Sequence, residues 1–355
     1  MWIYASVLTI VGLFALLSLS LPSAAQSVRT ILLAAAVVIL CVFIGLRDRV
    51  GADWDTYETI FDMYAQTDVN SVLTTVPIEP AYAVLNYGST LVGGGIYVVN
   101  FVCAAIMIAG LVRFAYLVEI DALLALFVAA PYVLFAVGMG YTRQAVAIGL
   151  GSAALGYWVR EKPKRFCLTV ILAMCFHYSA VFLFLLVWMK NWRRVLIAIP
   201  VALVGGYLLV MAFYQQYFML YVQNTQDLHS NGVWFRLAII LLGVSLATLQ
   251  IKHWRQEPRL FRLIVSGSAL AVALIPLAIV ASTLADRICL YLFFIYLVAV
   301  ARAIRLSRFE LRSATLAGIY VTTYASFFTW FVLSPYAANS WIPYHSILLG
   351  RIGGR

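Results

Sequence analysis

The chain has 355 residues, of which 64% are hydrophobic and only 11% are charged, and its formal net charge is +10. Apolar runs of about 20 residues recur along the whole length, and each can cross a hydrocarbon core about 30 Å thick. The composition therefore excludes a soluble enzyme. It predicts an all-α polytopic membrane protein, a single transmembrane domain over residues 1–355 with about 10–12 membrane segments. The positive charge does not indicate nucleic-acid binding, because Lys and Arg collect in short loops, as they do on the cytoplasmic side of membrane proteins.

The apolar runs define the predicted spans in chain order. They cover residues 2–21, 30–46, 96–117, 123–137, 141–159, 195–213, 234–250, 263–283, 288–300 and 314–331. Three basic loops belong inside by their excess of Lys and Arg, at residues 160–165, 252–262 and 302–312. Three segments then lie outside: an acidic loop at residues 47–95, a loop at 214–233 and the C-terminal tail at 334–355. Within the acidic loop, a short apolar stretch over residues 79–91 predicts a helix at the membrane interface.

Residues 166–189 do not fit a simple crossing. Basic residues flank this apolar stretch on both sides, so both ends look cytoplasmic, yet the stretch is long enough for only one crossing. A re-entrant pair of half-helices that breaks near His177 satisfies both signals. A single crossing with one basic flank outside is the alternative.

The cysteines and histidines give no sign of a metal site. All five cysteines lie in or beside apolar runs without metal-ligand spacing, so we interpret them as small core residues. The four histidines are dispersed, and we predict neither a metal nor a cofactor. No basic residue precedes the first apolar run, which favours an uncleaved first span over a secretory signal.

Residues 45–57 carry a dense polar pattern, G-x-R-x-x-x-G-x-D-x-x-x-Y, directly after an apolar span. The pattern presents Arg47 and Asp53 together at a membrane surface, where a guanidinium and a carboxylate suit a phosphorylated, polar substrate. A solvated loop that carries charges only for solubility is the alternative interpretation.

Two further arginines lie at predicted outer ends of spans. Arg143, followed by Gln144, stands in the first turn of a span, where the helix N-terminus also favours an anion. An arginine that snorkels to the interface is the alternative for Arg143. Arg287 is either neutralised by the adjacent Asp286 at an outer turn or available to an anion.

Glu79 and His177 are candidates for proton transfer. Glu79 precedes the predicted interfacial helix, so its carboxylate serves either the helix N-terminus or the substrate. His177 is surrounded by apolar residues and is either a hydrogen-bonded core residue or a proton carrier.

Trp341 and Tyr344 lie beyond the last predicted span, beside prolines. Aromatic residues at such positions commonly form an interfacial belt. An aromatic ring also suits the C–H face of a sugar, and we favour sugar binding for this pair.

These pieces, in this order, resemble the EpsG family of bacterial exopolysaccharide proteins, which is similar to the Wzy polysaccharide polymerases. No single motif is specific, but their order along almost the full chain is. The residues that carry the resemblance are Gly45, Arg47, Gly51, Asp53, Tyr57, Glu79, Pro80, Arg143, Gln144, Ala145, residues 176–180, Arg287 and residues 341–344.

The resemblance implies a GT-C-like polymerase in the bacterial cytoplasmic (inner) membrane, with its active site facing the periplasm or the outside. Its substrates would be undecaprenyl-pyrophosphate-linked glycans, joined as repeat units with release of undecaprenyl pyrophosphate. Its partners would be the lipid bilayer and chain-length regulators or export proteins.

The same resemblance suggests roles for the site residues. The residues expected to bind the pyrophosphate or the substrate are Arg47, Arg143, Gln144, Arg287 and Tyr57. Asp53, Glu79 or His177 would be the general base, and we favour Asp53 because Arg47 and Arg49 would keep it ionised. Trp341 and Tyr344 would bind sugar.

Three other functions compete with this prediction. A polysaccharide ligase would use the same donor but transfer finished polymer to another acceptor. A transporter or flippase for the lipid-linked sugar would place charges at mid-bilayer in repeat-related helices, and the sequence has no convincing internal repeat. A non-catalytic scaffold of an export complex would not need clustered arginines and carboxylates.

Overall fold

Helices make up 82% of the computed structural model, which describes residues 1–22, 24–188, 230 and 232–348 and contains no strand within them. The helices that build the bundle are α1 (Trp2–Ser20), α2 (Gln26–Gly45), α3 (Trp54–Ala65), α4 (Pro80–Leu91), α5 (Gly95–Leu117), α6 (Ala122–Gly140), α7 (Thr142–Val159), α8 (Pro163–Met174), α9 (Phe182–Trp188), α10 (Val233–Leu249), α11 (Pro258–Val280), α12 (Ser282–Leu306), α13 (Arg312–Leu333) and α14 (Pro335–Ser340). The prediction of an all-α protein is confirmed.

Seven of the described helices are long and apolar enough to cross a membrane. They are α1, α2, α5, α6, α11, α12 and α13 with the turn before it. The chain is therefore a multi-pass membrane protein, as predicted. The predicted span at 195–213, most of the loop at 214–233 and the end of the tail lie outside the described residues.

The centre of the bundle is formed by α6 and α12. Every residue of α6 is buried, whereas at most 39% of the spanning windows of α1, α2, α11 and α13 is buried. Helices that are apolar all round suit a protein interior, and those with exposed apolar faces suit contact with lipid. A π-helical stretch, Ala130–Val137, widens α6 around Pro131, which cannot donate a backbone hydrogen bond.

Glycines allow α5 and α7 to pack closely. A Cβ atom on Gly110 would lie 2.3 Å from the backbone of Gly149, so neither position has room for a side chain. Small residues at such crossings are typical of membrane helices, because close backbone approach replaces the hydrophobic effect as the source of attraction. This crossing holds the middle of α7 against α5.

The stretch predicted as a re-entrant pair forms two short helices, α8 and α9, that turn back at residues 175–181. The rings of Phe166 and Phe184 lie 5.5 Å apart, which brings the beginning of α8 beside α9. His177 stands at the turn, where the sequence predicted the break. A helix of 12 residues is only about 18 Å long, too short to cross a bilayer alone.

The loop at 47–95 and the C-terminal tail pack together. The loop contains α4, close to the predicted interfacial helix, and also α3, which the sequence did not predict. The tail folds back over the start of the loop, because Asp48 N donates to His345 O at 2.9 Å and Ile347 N to Leu46 O at 3.1 Å. The described part of the tail is therefore packed against the start of the loop.

The predicted outer turn at Asp286 and Arg287 is wrong. Both residues lie inside α12, which begins at Ser282. Charges in sequence usually mark the end of a span, but here each side chain has a partner inside the bundle, so the helix continues through them.

Candidate functional site

One end of the bundle gathers the predicted polar residues. We call it the site end, defined by Asp53 in the loop before α3, Glu79 before α4, Arg143 at the start of α7, His177 at the α8–α9 turn and Arg287 in α12. Each residue stands at or near the terminus of its element, so residues far apart in sequence converge through the packing of five helices.

Arg143 and Glu79 form a buried ion pair. Arg143 Nη1 donates to Glu79 Oε2 at 2.6 Å, and the side chain of Glu79 is 4% exposed. Arg143 lies 5.9 Å from the ring centres of both Tyr57 and Tyr82, which adds cation–π attraction on two sides. Arg143 is therefore not a snorkelling arginine, because its charge is balanced within the protein.

A hydrogen-bonded chain runs from Arg287 through His177 to Tyr291. Arg287 Nη1 lies 3.1 Å from His177 Nε2, Ser179 Oγ lies 2.7 Å from His177 Nδ1, and Tyr291 Oη lies 2.9 Å from Ser179 Oγ. A guanidinium has no acceptor, so Nε2 accepts from Arg287, and the backbone N–H of Ser179 points to Nδ1 at 3.3 Å. His177 therefore orients Arg287 and has no free lone pair for a substrate while this contact holds.

Asp53 lies in the electrostatic field of Arg143 and Arg287 and forms no ion pair with any residue that the structure describes. Burial raises the pKa of the Asp53 carboxyl above its usual range, and the positive charges of Arg143 and Arg287 oppose that rise. Asp53 precedes α3 but its side chain makes no capping hydrogen bond there. Its carboxylate is thus available, whereas Glu79 and His177 are engaged.

The structure corrects the prediction of which arginines act on Asp53. Arg47 and Arg49 were expected to keep it ionised, but Arg143 and Arg287 are the charges that act on it. Sequence proximity misled here, because helix packing brings the charges of residues 90 or more positions away to act on Asp53.

Arg47 is a structural residue. It is 1% exposed, and it donates to Val50 O, Ile44 O and Met139 O and to Thr142 Oγ1 at 2.7–3.1 Å. A guanidinium whose donors hold backbone carbonyls cannot also bind a pyrophosphate. The structure therefore assigns Arg47 to joining the loop to α6 and α7, and not to the predicted substrate contact.

Gln144 and Tyr57 support the arginines. Gln144 Nε2 donates to the carbonyl oxygen of Arg287 at 3.1 Å, which ties α7 to α12. Tyr57 is buried beside Arg143, and burial raises its pKa to about 12, so the phenol stays neutral at physiological pH. Gln144 and Tyr57 therefore position Arg287 and Arg143.

Trp341 and Tyr344 do not present their rings at the surface. Trp341 is 1% exposed and its Nε1 donates to Phe135 O at 3.0 Å, while Tyr344 Oη donates to Phe43 O at 2.7 Å. The rings of Tyr344 and Phe43 stack in the core. The predicted sugar contacts are therefore replaced by contacts that anchor the tail.

Arg236 is a site residue whose role the sequence did not reveal. It forms a buried ion pair with Asp286, so Asp286 does not neutralise the adjacent Arg287. Side chains at successive positions of a helix point in different directions, which separates Asp286 from Arg287. The opposite charges of Arg236, in a predicted span, and Asp286, at a predicted turn, were the only signal for this pairing in the sequence.

Two cavities border the site end. A cavity of about 620 Å³ is lined by residues of α7, α10, α12, α13 and α14, among them Arg287, Gln144, Arg236 and Asp286. An apolar groove of about 350 Å³ runs between α4 and α5, from Ala81 and Phe176 towards Gly88 and Val102. The first has mixed polar and aromatic walls, and the second is almost entirely apolar.

A comparison with protein-family models matches the EpsG family over residues 30–346. This range contains every candidate site residue described above. No curated protein and no solved structure matches the chain significantly, so the expectation of a GT-C-like architecture stays a prediction.

Proposed function

We propose a function from the premise that this chain belongs to the EpsG family, a family of polysaccharide polymerase-like membrane proteins. The proposed reaction joins undecaprenyl-pyrophosphate-linked oligosaccharide units at the outer face of the cytoplasmic membrane. The growing chain leaves its lipid carrier and is transferred to the next lipid-linked unit.

The observation that carries this proposal is the convergence of Arg143 and Arg287 around Asp53. The positive charges of two guanidinium groups from different helices act on this one carboxylate. Paired arginines suit a pyrophosphate, because each guanidinium can bind phosphate oxygens with two parallel hydrogen bonds. The carboxylate suits removal of a proton from an acceptor hydroxyl.

The proposed mechanism is direct displacement at the anomeric carbon of the donor. The acceptor oxygen forms a bond to that carbon, and its proton passes to Asp53. The bond between the anomeric carbon and the pyrophosphate oxygen breaks, and the electron pair leaves with the undecaprenyl pyrophosphate. Arg143 and Arg287 stabilise the negative charge that develops on the leaving oxygen.

The apolar groove supports a lipid-linked donor. Its end at Ala81 and Phe176 adjoins the polar cluster, because Phe176 precedes His177 and Ala81 N donates to Cys175 O at 2.9 Å. An isoprenoid chain in the groove would hold its pyrophosphate beside Arg143. The groove therefore fits the apolar part of the proposed donor.

The proposal is tested with purified protein in nanodiscs and synthetic undecaprenyl-pyrophosphate repeat units, with products resolved by gel and mass spectrometry. The wild-type protein should give a ladder of lengthening lipid-linked chains. Arg287→Ala should reduce the rate roughly 10²- to 10³-fold, because it removes a donor to the leaving group. Arg143→Ala should have a larger effect and abolish polymer formation.

Arg113→Ala is the matched control, because Arg113 is exposed and contacts Tyr157 far from the site end. It should leave the ladder unchanged. A ladder of normal length from both site variants would contradict the assignment. Transfer of preformed polymer without a ladder would identify a ligase, and unaltered single units from folded wild-type protein would favour transport or a scaffold.

A further inference from the structure

The cavity of about 620 Å³ at the site end lies between α10, α12 and α13 and is closed at one side by α14. Its size falls in the range of small-molecule sites, which is about 300–1,000 Å³. Of the residues of the proposed reaction, Arg287 lines this cavity, whereas Arg143 and Asp53 do not. The chemistry of the other lining residues therefore indicates what the cavity binds.

Three buried polar atoms of the lining residues have no hydrogen-bond partner among the described residues. They are Asp286 Oδ1, an acceptor, and the donors Trp330 Nε1 and Arg236 Nε. All three are covered by protein and have almost no surface open to the cavity, so they do not themselves contact a ligand. The side chains that are exposed, among them Tyr336 and Asn339, indicate what the cavity binds.

The remaining walls combine aromatic rings with neutral hydrogen-bonding side chains. Trp330 and Tyr336 contribute rings, and Asn339, Thr329 and Gln144 contribute amide and hydroxyl groups. This combination suits a sugar, whose C–H face packs on an aromatic ring while its hydroxyls bind carboxylates and amides. An acyl chain would leave the polar groups unpaired.

The ring of Trp330 is held in place by two aromatic rings of the core. Its ring centre lies 6.0 Å from that of Trp341 and 5.9 Å from that of Tyr132, both in edge-on contact. Trp341 is itself anchored through Phe135 O. A fixed ring at a cavity wall is suited to binding, because no side-chain entropy is lost when the ligand arrives.

Arg287 connects the cavity to the proposed reaction centre. It lines the cavity and also contacts His177, so a molecule in the cavity lies beside the proposed pyrophosphate site. We infer that this cavity binds the oligosaccharide of the substrate, with a sugar face on the rings of Trp330 and Tyr336 and hydroxyls on Asn339 and Thr329. The inference rests on the proposed function for the identity of the sugar, and it adds a binding site that the sequence had assigned to Trp341 and Tyr344.

The test measures sugar binding without turnover. The probe is the repeat-unit oligosaccharide released by mild acid from the lipid-linked pool of the source cells, added to the full chain in nanodiscs. Binding is followed by saturation-transfer NMR. Trp330→Phe keeps an aromatic ring but presents a smaller ring face to the sugar, and Asn339→Leu removes an exposed amide without disturbing the core.

Both variants should bind the oligosaccharide at least fivefold more weakly than the wild-type protein. Trp158→Phe, at the opposite end of the bundle, is the control and should bind it normally. Each protein is first shown to have wild-type elution and thermal unfolding. Absence of binding to the wild-type protein, or equal binding by Trp330→Phe, would overturn the inference.

The outcomes separate this inference from the proposed function. Saccharide binding that depends on Trp330, in a protein that makes no ladder, would retain the site and remove the polymerase. A normal ladder with unchanged binding and KM in Trp330→Phe would retain the polymerase and remove the site.

Discussion

Arg47 and Arg143 have the same side chain and different roles, because their neighbours differ. Arg47 is enclosed by backbone carbonyls, which accept its hydrogen bonds and hold the loop against α6 and α7. Arg143 is paired with one carboxylate and flanked by two tyrosine rings, so side chains hold it at the site end. The residue type indicates anion binding, but the surroundings decide whether an anion can reach it.

We predict that Asp53 lowers the stability of the folded protein and is needed for polymerisation. Its folded-state pKa is raised by burial, so the folded protein binds the proton more tightly than the unfolded chain. Asp53 therefore lowers the free energy of unfolding progressively as the pH rises through that range. Asp53→Asn should unfold at a higher temperature at pH 7 and lose roughly 10²- to 10⁴-fold in polymerisation rate.

Thermal unfolding in detergent and the ladder assay check this prediction. In the wild-type protein, activity should fall as the pH falls through the raised pKa of Asp53, since the base must be ionised. Asp55→Asn, two residues away and exposed, should change neither property. A variant Asp53→Asn that keeps wild-type activity would remove Asp53 as the base.

At the scale of the element, α4 separates the apolar groove from the polar cluster. Its first turn follows Glu79, which pairs with Arg143, and its later turns line the groove with apolar side chains. Proline at the first position starts the helix, since its missing N–H needs no partner there. The helix α4 thus places the Glu79–Arg143 ion pair at one end of the apolar groove.

Gly88 provides a test of the groove, because a Cβ atom there would meet no atom within 4 Å. Gly88→Phe should fill the groove without straining α4. We expect the KM for an undecaprenyl-linked donor to rise about tenfold, which corresponds to about 1.4 kcal/mol. A donor with only two isoprene units should be used as well as by the wild-type protein.

Gly318→Phe is the matched control, since its Cβ atom also meets nothing within 4 Å and it lies in α13, away from the groove. Its KM should equal that of the wild-type protein for both donors. An equal KM for the long donor in Gly88→Phe would show that the isoprenoid chain lies elsewhere.

For the whole molecule, the two ends of the bundle differ in chemistry. The site end carries the cluster around Asp53, both cavities and the packed tail, and α13 begins at the opposite end with Arg312. The proposed function requires the site end to face the outside, because the lipid-linked units are joined there.

Cysteine labelling in intact cells tests this orientation. Asn70→Cys, in the exposed loop after α3, should react with a membrane-impermeant maleimide, because it belongs to the site end. Ser313→Cys, at the start of α13, should react only after lysis. Both are made in a Cys167→Ser background, since Cys167 is an exposed native thiol. The reverse pattern would contradict an outward-facing site.

The sequence by itself determined the class of the protein and most of its spans. Hydrophobicity and length are local properties, so α1, α2, α5 and α6 were predicted close to their observed bounds. The break near His177 was also predicted, because basic residues on both flanks favoured a folded-back pair over the alternative of a single crossing. The family resemblance, which was based on the order of the motifs, was confirmed by the match to the EpsG family.

Only the tertiary structure decided which charges meet. Arg143 pairs with Glu79 and Arg236 with Asp286, across separations that no local pattern encodes. The same packing removed Trp341 and Tyr344 from the surface and left Trp330 at a cavity wall. The physical reason is that exposure and ion pairing depend on the rotation of each helix against its neighbours, which is set by contacts distributed over the whole bundle.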